Sequence, residues 1–153
     1  MSDLRQTINT AMKTAMKAKE AISLSTIRLI MAAIKERDIS VRSTKGQDGI
    51  SDDEILALLQ SMIKQRQESS RLYTEAQRPE LAEREEEEIN VIQGFLPEQL
   101  SEDEMGAAVH SIIKNTGADS IKDMGKVMAQ LKTQYAGKLD MARASAVVKE
   151  QLG

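Results

Sequence analysis

The sequence predicts an all-α protein, an N-terminal antiparallel helical bundle of four helices over residues 1–96 followed by a small three-helix domain over residues 97–153. Three observations predict it. Nine Met against one Phe, two Tyr and no Trp leave the core to Leu, Ile, Met and Ala, which form helices well, whereas a sheet protein would want more β-branched and aromatic residues. Apolar residues recur at three- and four-residue intervals along nearly the whole chain. Two S-x-x-E sequences, Ser51 to Glu54 and Ser101 to Glu104, have the spacing of a capping box and mark helix starts.

In the first helix Leu4, Ile8, Ala11, Met12, Ala15 and Met16 share a face, with Lys13 and Lys17 opposite. The segment MSDLRQTINTAMKTAMKAK also has the basic, acid-poor, amphipathic look of a mitochondrial presequence, but an ordinary first helix has the same composition. It lacks the continuous apolar run of a secretory signal. A second helix, with Ser23 or Ser25 as its cap or just inside it, carries Leu24, Ile27, Ile30, Met31 and Ile34 on a stripe running towards Val41. Arg28, Lys35 and Arg42 recur every seven residues along one edge and read as snorkelling side chains in salt bridges.

STKGQDGI, residues 43–50, has two glycines and no periodicity, and reads as a mobile loop. From Asp52 to Ala76 the stripe of Ile55, Leu58, Leu59, Met62, Ile63 and Tyr73 predicts the longest helix, about 37 Å at about 1.5 Å per residue. Pro79 opens a fourth helix after a very short turn, so that helix must run back antiparallel to the third and on towards Leu96. Its apolar face, Leu81, Ala82, Ile89, Ile92 and Phe95, also carries Glu85 and Glu88. Counting from the turn brings Arg66 level with them. A partly buried ion pair from Arg66 to Glu88 or Glu85 is expected, because either charge alone there would cost several kcal/mol. The run EREEEE is read as a solvated or salt-bridged face and not a metal site, since no His lies near it to complete a carboxylate-histidine set.

Pro97, in GFLPEQLS, ends the fourth helix and marks the boundary between the units. The fifth helix, with Met105, Ala108, Val109, Ile112 and Ile113 inward, closes at Gly117. His110, the one histidine, has no carboxylate or serine at a helical neighbour position and is expected on the surface. Ser120 is expected to cap a sixth helix, with Asp123 in its first turn and Met124, Val127, Met128, Leu131 and Tyr135 inward. Gly137 ends it, and Asp140 caps a seventh with Met141, Ala144, Val148 and Leu152 inward.

Charge is segregated. Residues 1–45 sum to +5, residues 46–104 to −11 and residues 105–153 to +3. Basic ends allow a local anionic partner although the net charge is −3, and equally allow the ends to fold against the acidic middle. On the sixth helix Lys122 and Lys126 flank Gly125 and Ala129, and Gly inside a helix costs about 0.5–1 kcal/mol relative to Ala. Either another helix packs closely on Gly125, or a phosphate backbone passes over a small-residue strip between lysines, or the position is neutral. With Lys132, Lys138, Arg143 and Lys149 the surface suits structured RNA, because bases of a single strand would find almost no aromatic platform. DNA is not among the expected partners. A protein partner held in a helix groove is the alternative.

No GxSxG, glycine-rich phosphate loop or HExxH occurs, and the chain has no Cys. No catalytic residue, cofactor or metal is therefore expected. The absence of Cys fits a reducing, cytoplasmic setting, and no apolar run approaches the roughly 18 residues of a membrane span.

The phrases LSTIRLIMAAIKERDI, MIKQRQES and FLPEQLSEDE, and above all KDMGKVM followed by GKLDM, resemble the YqeY family. Its domain is shared with the C-terminal tail of the B subunit of the glutamine-dependent aspartyl/glutamyl-tRNA amidotransferase. The resemblance covers essentially the whole chain. It implies an all-helical protein with an N-terminal bundle and a small C-terminal helical domain, and points at Lys122 to Met128, Gly137 and Asp140. In the amidotransferase the related tail contacts the body of the tRNA, while amide transfer, a carbon-nitrogen ligase reaction, occurs in domains this chain lacks. The resemblance therefore implies a non-catalytic, tRNA-interacting accessory protein, or a component of such a ligase complex. KAKEAISLST lacks the Gly-Asp turn common in the family after the first helix, so the first two helices are expected to join tightly or run on.

Overall fold

A computed structural model describes residues 3–153. Its secondary structure is helical throughout, with no strand among the described residues. The chain divides into two compact units, the first ending at Leu96 and the second beginning at Pro97.

The first unit contains α1 (Asp3–Ala18), α2 (Ala21–Lys45), α3 (Asp52–Glu75) and α4 (Pro79–Gln93). Of the segment that resembles a presequence, Met1 and Ser2 lie outside the described residues; the rest forms α1, which buries Ile8 and Ala15 in the core. Running on into α2 would have left both apolar faces in water. Instead the chain reverses at Lys19, whose φ of 58° is left-handed, and the Glu20 N–H donates to the Ala15 carbonyl at 3.0 Å. The reversal lets Ile8 and Ala15 join Ile27, Ile30, Ile34, Ile55, Leu59 and Ile92 in one cluster.

Several local expectations are corrected. Of the two readings of Ser23 and Ser25 the second holds: both lie just inside α2, whose N-cap is Glu20 with no side-chain cap bond, and the Ser25 hydroxyl donates to the Ile22 carbonyl. The helix does not stop near Val41. It runs 25 residues to Lys45, one more than α3, and ends at left-handed Gly46. Ser43 to Lys45 are thus helical, and the short connection to α3 is held from both sides. Arg5 donates to both Asp38 oxygens at 2.8 and 2.7 Å and to the Ile50 carbonyl at 2.9 Å, while the Ile50 N–H donates to Asp38 Oδ1 at 2.9 Å. Gly49 passes so close that a Cβ there would meet Asp38 Oδ1 at 2.8 Å. A loop read as mobile from two glycines is pinned by an ion pair between residues 33 positions apart.

This clamp carries a pH prediction. Arg5's hydrogen bonds, helped by the Ile50 N–H and opposed by burial, hold the Asp38 carboxyl below its ordinary 3.8. An acid whose folded pKa lies below its unfolded one stabilises the fold above the unfolded value and loses that contribution as pH falls through the folded one. Asp38→Asn is therefore expected to cost about 1–3 kcal/mol at pH 7, and the difference from the parent should close below pH of about 4. Urea melts at a series of pH values measure it; a difference that does not narrow at all as pH falls from 7 to 3 would remove the linkage.

α3 opens with a full capping box. The Ser51 hydroxyl accepts from the Glu54 N–H at 3.2 Å, and the Glu54 carboxylate accepts from the Ser51 N–H at 3.4 Å. After Gln77, at φ 59°, Pro79 starts α4 antiparallel to α3. α4 stops at Gln93, three residues short of Leu96, and Phe95 and Leu96 pack half-buried against the cluster from a turn.

The second unit contains α5 (Glu102–Thr116), a single 3-10 turn (Ile121–Asp123), α6 (Met124–Gln134) and α7 (Met141–Leu152). A second capping box at Ser101 and Glu104 starts α5, and left-handed Gly117 ends it. Val109, Val127, Leu131, Leu139, Ala144 and Val148 form the centre of a separate core. Ser120 does not cap α6: it precedes the 3-10 turn and makes no side-chain cap bond. The Asp123 carboxylate turns back instead and accepts from the Asp119 N–H at 3.1 Å, a bond that holds its pKa below the ordinary 3.8. Asp140 caps α7 through the Ala142 N–H at 2.8 Å.

Candidate nucleic-acid interface

Two glutamates of the acidic run of α4, Glu86 and Glu88, are drawn into pairing. Arg66 Nε donates to Glu88 Oε2 at 3.1 Å, with side chains 16% and 13% exposed, and Arg66 Nη1 donates to the Met62 carbonyl at 3.1 Å. Arg84 reaches the other Glu88 oxygen at 3.3 Å, and the buried Ser70 hydroxyl donates to Glu86 at 3.0 Å. Glu85 stands beside this network; burial first and Glu88 second push its pKa above the ordinary 4.5, while Arg66 pulls it down. Among the described residues no group of three or more His, Cys, Asp or Glu is placed to hold a metal ion. His110 is exposed on α5.

The basic candidates lie in the second unit and divide into two groups. Lys122 in the 3-10 turn, Gly125 and Lys126 in the first turn of α6, and Lys132 in its last turn are all exposed. Gly125, Ala129 and Lys132, at intervals of four and three, lie in line on the outer face, opposite buried Val127 and Leu131. A Cβ built on Gly125 meets nothing within 4 Å. The expectation that another helix packs closely there is overturned within this unit: the glycine opens onto free space at the start of a helix. Asp119 and Asp123 are the acids near this face, and the Asp123 carboxylate feels Lys126.

Lys138 and Arg143 belong to the other end of α6. The Lys138 carbonyl accepts from the Leu100 N–H at 2.7 Å and the Gly137 carbonyl from Gln99 Nε2 at 2.6 Å, which ties the α6–α7 turn to the start of α5. α6 has 11 residues, about 16 Å at about 1.5 Å per residue, so Lys138 is about that far from Lys122 along its axis. Arg143 is ion-paired with Glu102, 41 positions away, which neutralises the cation on this surface. Sequence reasoning listed Arg143 as a free cation because nothing local signals that partner.

Fold and site together define an all-helical protein whose second unit exposes a lysine-bearing, small-residue face on α6. Among the described residues, no helix is long and apolar enough to cross a membrane.

Comparison with known proteins carries the description further. The family model described as Yqey-like protein matches residues 5–152, and the chain belongs to the YqeY family. Among its relatives, Altered inheritance of mitochondria protein 41, mitochondrial, of Pyrenophora tritici-repentis is 28% identical over 146 residues, 93% of this chain and 77% of the relative. The protein of the same name from Meyerozyma guilliermondii is 34% identical over 92 residues, 59% of this chain and 44% of the relative. An uncharacterized protein of Schizosaccharomyces pombe is 27% identical over 99 residues, 65% of this chain and 76% of the relative. Several relatives are thus matched over only about half of their own length or less.

Proposed function

We infer that this YqeY-family protein is a non-catalytic accessory protein that contacts structured RNA, tRNA foremost, through the outer face of α6. The observation that carries the reading is the exposed strip Gly125, Ala129 and Lys132 flanked by Lys122 and Lys126, with free space over Gly125. Small residues let a sugar-phosphate backbone approach the helix closely, and the lysines supply charge for phosphates without any base-reading platform. The likeness of KDMGKVM to the amidotransferase tail adds to it. A place in a glutamine-dependent amide-transfer complex rests on that likeness alone. The bundle of residues 1–96 and the three-helix domain of residues 97–153 are, in this reading, a scaffold and an RNA-facing module. Lys138 and Arg143 are secondary to it.

Filter binding of total tRNA tests the reading. Retention is expected at low salt and should fall steeply as salt rises. Lys122→Glu together with Lys126→Glu should weaken it by about tenfold or more, since two cations become two anions at the contact. No retention at low salt, or retention indifferent to the double substitution, would overturn it. The relatives carry "mitochondrial" in their names; the composition of this chain leads us to a cytoplasmic location, which fractionation of cells expressing the full-length protein decides.

A further inference from the structure

The exposed face of α2 holds a pattern that the RNA reading does not use. Arg28, Ala32, Lys35, Ile39 and Arg42 follow one another at intervals of four and three residues, so their side chains line one side of the helix. All five are exposed, Ile39 to 53%. Elsewhere in this unit Arg5, Arg66, Arg71, Arg78 and Arg84 each pair with a carboxylate. Arg28 and Lys35 have no hydrogen-bond or ion-pair partner among the described residues, and Arg42 reaches only the Asp48 carbonyl at 3.4 Å. The acid next to the line, Asp38, already spends both oxygens on Arg5 and one of them also on the Ile50 N–H. The expected salt bridges along this edge are therefore not formed. Between the line and α1, level with Lys35, a cleft of about 320 Å³ opens, with Ile8, Met31, Ala32 and Ile34 as its apolar lining and the paired Arg5 and Asp38 as its polar lining beside Lys35.

We propose that this face of α2 docks an acidic amphipathic helix of a partner protein, with carboxylates against Arg28, Lys35 and Arg42 and one aliphatic side chain in the cleft beside Lys35. Charge complementarity selects the sign of the partner: Arg28 and Lys35 have no ion pair among the described residues, and Arg42 shares the Asp38 charge with Arg5, so the cations of the line outweigh the acids Glu36 and Asp38 that flank it. Spacing selects its form. Cations seven residues apart repeat every roughly 10.5 Å along α2, and a second helix laid beside it with acids at the same interval has the same repeat. An extended peptide repeats on one face about every 6.8 Å and falls out of step. The apolar cleft and Ile39 distinguish this occupant from a phosphate backbone, which has nothing aliphatic to put there.

The test uses the full-length protein with isotope-labelled Ile and Met methyl groups. The probe is a synthetic helical peptide of about 21 residues with Glu at every seventh position and Leu three and four residues on. At low salt the peptide is expected to shift the methyl signals of Ile8, Met31, Ile34 and Ile39 and leave those of the second unit in place. Arg28→Glu with Lys35→Glu should weaken binding by about tenfold or more, and a peptide carrying Lys in place of Glu should then bind the double variant in preference to the parent. Unchanged Ile30 and Ile55 signals show that the variant is folded. Absence of those shifts at millimolar peptide, or equal binding of the Glu and Lys peptides to the parent, overturns the proposal. So does a self-association that the double substitution abolishes while the peptide does not bind, which would make a second copy the occupant. Loss of tRNA retention with peptide binding unaltered would give the face to RNA and likewise overturn it.

Discussion

Arg66→Ala is expected to destabilise the first unit by about 3 kcal/mol at pH 7, within the range for breaking a largely buried ion pair by removing one partner. The substitution leaves Glu88, 13% exposed, with only the longer 3.3 Å contact to Arg84, and strips Glu85 of the cation that counters its burial. Two carboxylates then share a site that disfavours charge. The penalty should depend on pH in a definite direction. An acid whose folded pKa lies above its unfolded one stabilises the folded state below the unfolded value and loses that contribution as pH rises through the folded one. Glu85 is already such a group, raised above 4.5. Losing Arg66 raises it further, so the cost of the substitution should shrink as pH is lowered towards 4. Arg66→Met with Glu88→Leu, which removes both charges, should recover most of the loss. Urea melts of the parent, single and double variants at pH 7 and pH 5 measure all three effects; a single variant as stable as the parent at pH 7 would show that Arg84 suffices.

Leu131→Ala is expected to abolish the fold of the second unit while the first stays folded. Leu131 has no exposed surface and sits with Val109, Val127, Leu139, Ala144 and Val148, all almost fully buried. Truncating a buried Leu costs about 2–5 kcal/mol. A unit running only from Pro97 to Gly153 has a small core and marginal stability, so that loss is comparable with everything it has. Amide hydrogen exchange reads the outcome residue by residue: protection should vanish across α5, α6 and α7 and persist at Ile30, Ile55 and Leu59. Loss of protection in both units together would show that they fold as one.

Most of the helices were legible because their signals are local. The capping boxes at Ser51 and Ser101 place two helix starts, Pro79 a third, and Gly117 an end, each through contacts within one or two turns. Where a boundary was misread, a contact that the pattern of residue types does not announce had replaced the expected signal, tertiary at Gly49 and local at Ser120. The glycines of residues 43–50 look like a free loop, yet Gly49 is there because Asp38 and Arg5 leave no room for a side chain. Ser120 looks like a cap, but the chain enters α6 through a 3-10 turn fastened by Asp123. Thr26 on α2 is fully buried, and its hydroxyl has no hydrogen-bond partner among the described residues, a burial that no local signal announces.

The candidate site was legible in composition and not in arrangement. KDMGK announces a glycine between lysines, but the openness of Gly125, the distance of Lys138 and the capture of Arg143 by Glu102 are properties of packing. The sequence by itself determined the all-helical class, the apolar face of each helix and the family, since periodicity and caps are written within a few consecutive residues. The tertiary structure alone decided which charges are spent and which remain available. Arg66 meets Glu88 across 22 positions, Arg5 meets Asp38 across 33 and Arg143 meets Glu102 across 41, while Arg28 and Lys35 have no hydrogen bond or ion pair among the described residues. A charge is neutralised by whatever the fold brings within about 4 Å of it, and that distance is set by the packing of helices.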